Sequence, residues 1–406
     1  MAMLALAACN GGQPENPLMA DSALPYGAPE FSKYEPTDYE EAFLEGFKRQ
    51  RAEIDAIVAC TDAPTFDNTI GALERSGRLL GKVSGVFFNL SETDADSIMK
   101  ETEKRIMPLM TEHSAYMTMN EALFARVKAL YDTKASLGLT REQEMVLDKY
   151  YRMFVKGGAL LDAEKKARLA EINEELSALS VRFGSNVLAE NNNFVMYQTD
   201  QQVASLPTSV RDAAREKAKE LGEDGKYAFT LHKPSMLPFL TYSTEREARE
   251  ELYRAYINRC NNNDEYDNKQ IINDMIRLRT EKAHLLGYKS YAHYVTSDQM
   301  ASNPKAVYNL LEEVWEPAVE RAKEELAEME KMFKDDYTDS EYKFESWDWW
   351  FYAEKVRQKK YALNEDIIRG YFSLDNTRQG IFNLANRLFG ITFRPVTVPV
   401  YHKEVS

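Results

Sequence analysis

The chain has 406 residues, with 51 Lys and Arg against 65 Asp and Glu and a formal charge of −14 at pH 7. It therefore has no basic excess with which to displace counterions from a nucleic acid or to hold an acidic membrane surface. With 44% hydrophobic and 29% charged residues, and no run near the roughly 18 apolar residues of a membrane helix, the composition fits a folded protein of two to three domains rather than a spanning or disordered one.

The first residues end in Leu6-Ala7-Ala8-Cys9, an apolar run with small residues before a cysteine. This resembles a bacterial lipoprotein signal in which Cys9 is lipidated, although no Lys or Arg precedes the run. The expected address is the periplasm or a membrane-anchored lipoprotein, with a cytoplasmic protein as the alternative. Residues 10–17 lack periodicity and suit a tether.

Helical patterning begins at Thr37. Thr37-x-x-Glu40 has the form of a capping box, and Tyr39, Phe43 and Phe47 share one face of a helix predicted to about Ala59. Apolar periodicity resumes after Pro64 through Ile70, Leu73, Leu80, Val83 and Phe87, and further helices are predicted at about 94–114, 120–133 and 140–156, the last opening with Thr140-x-x-Gln143. From Ala163 to Glu190 a stripe of Leu169, Ile172, Leu176, Leu179, Phe183 and Val187 predicts a long, half-exposed helix. Residues 194–197 and 227–232 are rich in aromatic and branched side chains and predict a small strand pair around a helix at 208–221. Beyond Pro234 and Pro238, helices are predicted at 243–260, 267–286, 290–298 and 304–334, with the Asn261-Asn262-Asn263-Asp264 run as a loop. A last set of helices starts at Ser346, and 391–402 reads as a terminal strand.

Short motifs do not assemble a catalytic site. The five histidines and three cysteines are too scattered for CxxC, HxxxH or zinc-finger spacings. Glu281-x-x-His284 puts a carboxylate and an imidazole on one helical face, but a di-metal bundle needs two such pairs. Gly77-Arg78-Leu79-Leu80-Gly81-Lys82-Val83 is one residue short of a phosphate loop and has Val where the metal-binding hydroxyl belongs. Neither a Gly-x-Ser-x-Gly turn nor a cysteine beside a base is present. The aromatic group around Trp349, Trp350 and Tyr352 fits either an inter-helix core seam or the wall of a ligand cleft.

Longer stretches carry more. Residues 346–361, from Ser346-Trp347-Asp348-Trp349-Trp350-Phe351-Tyr352 to Tyr361, and 371–382 resemble the thimet-oligopeptidase-like zinc metallopeptidase family, and agreement continues in Arg277–Tyr288 and Met300–Pro304. Leu24–Phe31, Pro64–Glu74 and Val86–Leu90 look like its bacterial peptidyl-dipeptidase branch. The resemblance implies a mainly α, multi-helix, two-lobed metallopeptidase with a small β element. It also implies short peptides as substrates, one zinc ion that polarises the scissile carbonyl and activates water, and release of dipeptides from the carboxyl end. The family holds zinc through His-Glu-x-x-His plus a later Glu, yet no His-Glu pair occurs in these 406 residues. The expectation is an amino-terminal portion that stops before the zinc-binding core and is inactive in isolation, with no catalytic or metal-binding residue of its own. Its parts would be a signal remnant and tether at 1–23, a helical domain at 24–233 and the first part of the catalytic domain at 234–406. The alternative, from a different class, is a non-catalytic helical surface lipoprotein that binds peptides or a protein partner.

Overall fold

Helix α1 (Asp38–Ala59) buries Tyr39, Ala42, Phe43, Phe47, Ile54 and Ile57 in the computed structural model, which describes residues 16–338, 341–362, 368 and 370–405. Cys9 lies outside the described residues. The capping box expected at Thr37 does not form. Thr37 itself takes a helical conformation with φ −78° and makes no side-chain cap, and the Asp38 carboxylate instead accepts the Glu35 amide at 2.8 Å. The Thr140 and Gln143 box does form, at the start of the helix Arg141–Lys156.

Among the described residues, the compact unit formed by Met1–Lys166 and Thr392–Ser406 contains α1, α2 (Gly71–Arg75), α3 (Arg78–Thr93), α4 (Ser97–Thr118), α5 (Glu121–Thr133) and α6 (Arg141–Lys156). Gly46 lets α1 lie close along α3, because a Cβ there would sit 3.1 Å from the Leu80 Cα. One core joins Leu18, Tyr39, Phe43, Phe87, Met99 and Ile106, and a second joins Ile54, Ile70, Leu123, Val127, Leu147 and Phe154. The terminal strand expected over 391–402 is absent, and residues 391–400 have no regular structure. Pro395 and Pro399 remove ladder donors and no described strand lies beside the segment. Tyr401 instead packs its ring edge-on against Phe31, centroids 5.7 Å apart.

The second unit, Ala167–Ile391, takes most of α7 (Ala163–Asn193), then β1 (Met196–Gln198), α8 (Thr208–Glu220) and β2 (Tyr227–Phe229). The two strands pair antiparallel with Met196 opposite Phe229, so the described chain is mostly helical with one small sheet, as expected. Helix α9 (Lys233–Tyr242) was not legible because its two prolines read as breaks; Pro234 sits in the first turn, where no amide donor is needed. There follow α10 (Arg246–Ile257), α11 (Lys269–Leu285), α12 (Tyr291–Thr296), α13 (Pro304–Asp336), α14 (Trp349–Tyr361) and α15 (Leu374–Phe389). The Asn-rich run is a loop, as predicted. The Lys269 ammonium holds it by bonding the side-chain oxygens of Asn261 at 3.0 Å and Asn263 at 2.8 Å.

Candidate functional site

The aromatic run around Trp349 leaves a polar residue, Asp348, at its centre, and the fold takes it inside. Asp348 closes a short turn at Ser346–Asp348, where its carboxylate accepts the Glu345 amide at 3.1 Å. Arg246 and Arg249 stand three residues apart on α10, on one helical face. Both guanidiniums converge on the Asp348 carboxylate, Arg246 Nη2 at 2.8 Å from Oδ2 and Arg249 Nη2 at 2.8 Å from Oδ1. Asp348 is 0% exposed and Arg249 1% exposed. Further donors are used as well: Arg246 bonds the Lys343 carbonyl at 2.9 Å and Arg249 the Ser243 carbonyl at 2.6 Å. Aromatic faces cover the cations, with Arg246 4.8 Å from the Tyr342 ring, Arg249 4.3 Å from Phe351 and Arg254 4.7 Å from Trp347.

This ion trio was missed at the level of sequence. An Arg-x-x-Arg pair on an amphipathic helix, with a lone acid inside a Trp-rich turn, was the available signal. Its chemistry is structural, since a buried carboxylate bonded by two guanidiniums and a backbone amide has no face left for a ligand. What it does is fix the turn that launches α14.

Helix α14 places the three expected wall residues differently. Trp350 is half-buried against the core that holds the strand pair and stands 6.0 Å from the Tyr253 ring. Trp349 is half-buried against a smaller core of Met329, Phe333 and Tyr352. Tyr352 is only 1% exposed and its hydroxyl donates to Asp336 at 2.9 Å. Burial pushes the Asp336 carboxyl up, but hydrogen bonds from Lys355 and Tyr352 outweigh it and leave the group below its ordinary value of 3.8. A carboxyl held low when folded adds stability above that ordinary value and loses it as pH falls through the folded one. Tyr352→Phe is expected to cost about 1–2 kcal/mol near pH 7. That cost should shrink as the pH falls from 3.8 through the lower value the group has when folded, because both folded proteins then come to carry a protonated Asp336. Urea titrations at neutral and acid pH test this, and a cost that grows on acidification would contradict it.

Other chemistry-bearing residues are already engaged. Glu281 is paired with Arg168 at 2.7 Å, which holds its carboxyl below the usual range. The His284 ring faces the Lys289 carbonyl at 3.3 Å, so Glu281-x-x-His284 serves two separate contacts. The Gly77 amide that would open a phosphate loop donates to Glu53 at 2.7 Å. Burial pushes the Cys260 thiol up to about 11, far from a thiolate at neutral pH. A hollow of about 400 Å³ beside Cys60 is lined by Glu53, Ile57, Asn68, Ala72 and Arg75. Its polar groups are spent too, Asn68 on a capping box and Arg75 on the Asp67 carbonyl. The zinc ion implied by the resemblance does not fit these residues: among the described residues no group of three His, Cys, Asp or Glu is placed to hold a metal.

Residues 239–406 match the profile described as Peptidase family M3. The chain is 36% identical over 393 residues to a dipeptidyl carboxypeptidase of Salmonella typhimurium, covering 96% of this chain and 58% of the relative. The corresponding figures for the dipeptidyl carboxypeptidase of Escherichia coli are 35%, 96% and 57%. For oligopeptidase A of Salmonella typhimurium they are 30%, 96% and 57%. The chain thus spans a little under three fifths of the length of the curated relatives it matches. These similarities correct the expected address. The matched dipeptidyl carboxypeptidases overturn the periplasmic or membrane-anchored reading. Among the described residues no helix is long and apolar enough to cross a membrane.

Proposed function

We infer from one premise, that this chain belongs to peptidase family M3, that its residues form a peptide-holding wall of a zinc metallopeptidase that releases dipeptides from the carboxyl end of short peptides. The observation that carries the reading is the buried Arg246, Arg249 and Asp348 trio, which fixes the turn from which Trp349 and Trp350 project. A binding wall needs side chains whose positions are set before the ligand arrives, and a desolvated, multiply bonded brace supplies that. Bond cleavage is assigned to residues other than those described, because no three His, Cys, Asp or Glu among them are placed to hold a metal. A catalytic-domain portion beginning near residue 234 is supported by the family match starting at residue 239.

A second reading, a helical protein that binds peptides or a protein partner without cutting them, is favoured by that same donor set. Both readings predict that the purified 406-residue chain binds a short blocked peptide and shows no chelator-sensitive turnover of it. Trp349→Ala and Trp350→Ala are each expected to weaken binding several-fold in a calorimetric titration. Equal affinity in both variants would remove the wall, and chelator-sensitive turnover would overturn the assignment of cleavage. Restoring turnover by adding the missing part of a relative's fold separates the first reading from the second.

A further inference from the structure

Helix α13 carries one apolar stripe along its whole length. Val307, Leu311, Val314, Ala318, Ala322, Leu326, Met329 and Phe333 recur at spacings of three and four residues, the period of a single helical face. The two ends of the stripe have different fates. Met329 and Phe333 are 2% and 3% exposed, packed with Tyr352 of α14. Toward the amino end the same face is bare: Tyr308, Leu311, Val314 and Trp315 are 56–69% exposed. Helix α15 repeats the pattern in stronger form. It contains no buried residue, and Ile381, Leu384 and Leu388 on one face are 57–63% exposed. Two amphipathic helices presenting Leu, Ile and Trp to water form apolar surface of a kind that folded chains cover.

We propose that these two faces are a docking surface for the part of the peptidase fold that the curated relatives carry and these 406 residues do not. Two observations select this occupant. The bare stripe on α13 continues an interface that α14 already fills, so the surface has the character of an interrupted core. About two fifths of the length of the relatives that match 96% of this chain lies outside the match, which is enough chain to cover both helices. The apolar stripes call for amphipathic helices on the covering body, packed by ridges into grooves as α14 packs on α13. The proposal rests on family membership and not on peptide binding at Trp349 and Trp350, so either can fail without the other.

The test uses the full 406-residue chain with, as probe, the stretch of the Salmonella typhimurium dipeptidyl carboxypeptidase outside its match to this chain, co-expressed as a second polypeptide. Light scattering is expected to show a one-to-one complex, and amide exchange over 307–322 and 374–389 is expected to slow at least tenfold. Leu311→Asp with Trp315→Asp, and separately Leu384→Asp with Leu388→Asp, should each weaken the complex at least tenfold while leaving the helical circular dichroism of the chain unchanged. A complex indifferent to both pairs overturns the proposal. So does a homodimer of the chain alone that the same pairs dissolve, because the face would then serve a second copy. The same exchange measurement on a single polypeptide, with the probe stretch fused after Ser406, guards against a probe that does not fold by itself. Unslowed exchange in the fusion overturns the proposal as well.

Discussion

Asp348→Ala is expected to destabilise the Ala167–Ile391 unit by about 3–5 kcal/mol, the cost of leaving two buried guanidiniums without their counterion. The carboxylate is 0% exposed and takes both cations at 2.8 Å. Removing it strands charge in a place that water does not reach. Carbonyls of Lys343 and Ser243 remain as acceptors, but a neutral acceptor does not compensate a desolvated cation. Asp348→Asn keeps the shape and one acceptor, so its loss should be smaller. Replacing all three residues together, Asp348→Leu with Arg246→Met and Arg249→Met, should recover much of the loss. Desolvating an ion trio is costly even when it is fully paired, and an apolar substitute of similar volume avoids that cost. All four tryptophans, Trp315, Trp347, Trp349 and Trp350, fall in this unit. Urea denaturation followed by tryptophan fluorescence therefore reads it directly. A loss below about 1 kcal/mol for Asp348→Ala would show that the trio is hydrated and not a brace.

The trio also shows where sequence reading stops. Periodicity exposed α7 over Ala163–Asn193 almost to its ends, because a half-exposed helix writes its buried stripe of Leu169 and Ile172 against a polar background. Composition pointed to the strand pair, since two segments rich in aromatic and branched side chains bracket α8. Periodicity says nothing about which charges meet across about 100 positions, the separation between Arg246 and Asp348. It also misplaced 391–402 as a strand, because branched residues favour extended backbone while a strand needs a neighbour, which no local pattern reveals. The expected wall divided for the same reason. Trp349, Trp350 and Tyr352 are close in sequence, but helical geometry sends them into different environments, two half-buried and one fully enclosed. The resemblance to the family was legible from long matching stretches, and the absence of a His-Glu pair was plain from the sequence itself.

Phe43→Ala should produce the second large effect, a loss of about 3–5 kcal/mol, through a different mechanism: a cavity in place of an uncompensated charge. Phe43 is 0% exposed on α1, and its ring meets Phe87 of α3 edge-on with centroids 5.3 Å apart and Phe47 at 6.1 Å. Phe87 in turn packs against Tyr39 at 5.2 Å. Deleting one ring therefore removes the centre of a connected aromatic cluster, and the neighbours cannot collapse into the space. Gly46 already holds α1 against α3, where a Cβ would come within 3.1 Å of the Leu80 backbone, so the two helices have little freedom to close further. Phe43→Leu fills most of the volume and should cost about 1–2 kcal/mol. No tryptophan reports on this unit, so amide exchange across α1 and α3 is the measurement of choice, with protection falling by at least tenfold in Phe43→Ala. If Phe43→Leu and Phe43→Ala lose the same protection, ring packing is not what joins the two helices, and their association would have to come from the Gly46 contact alone.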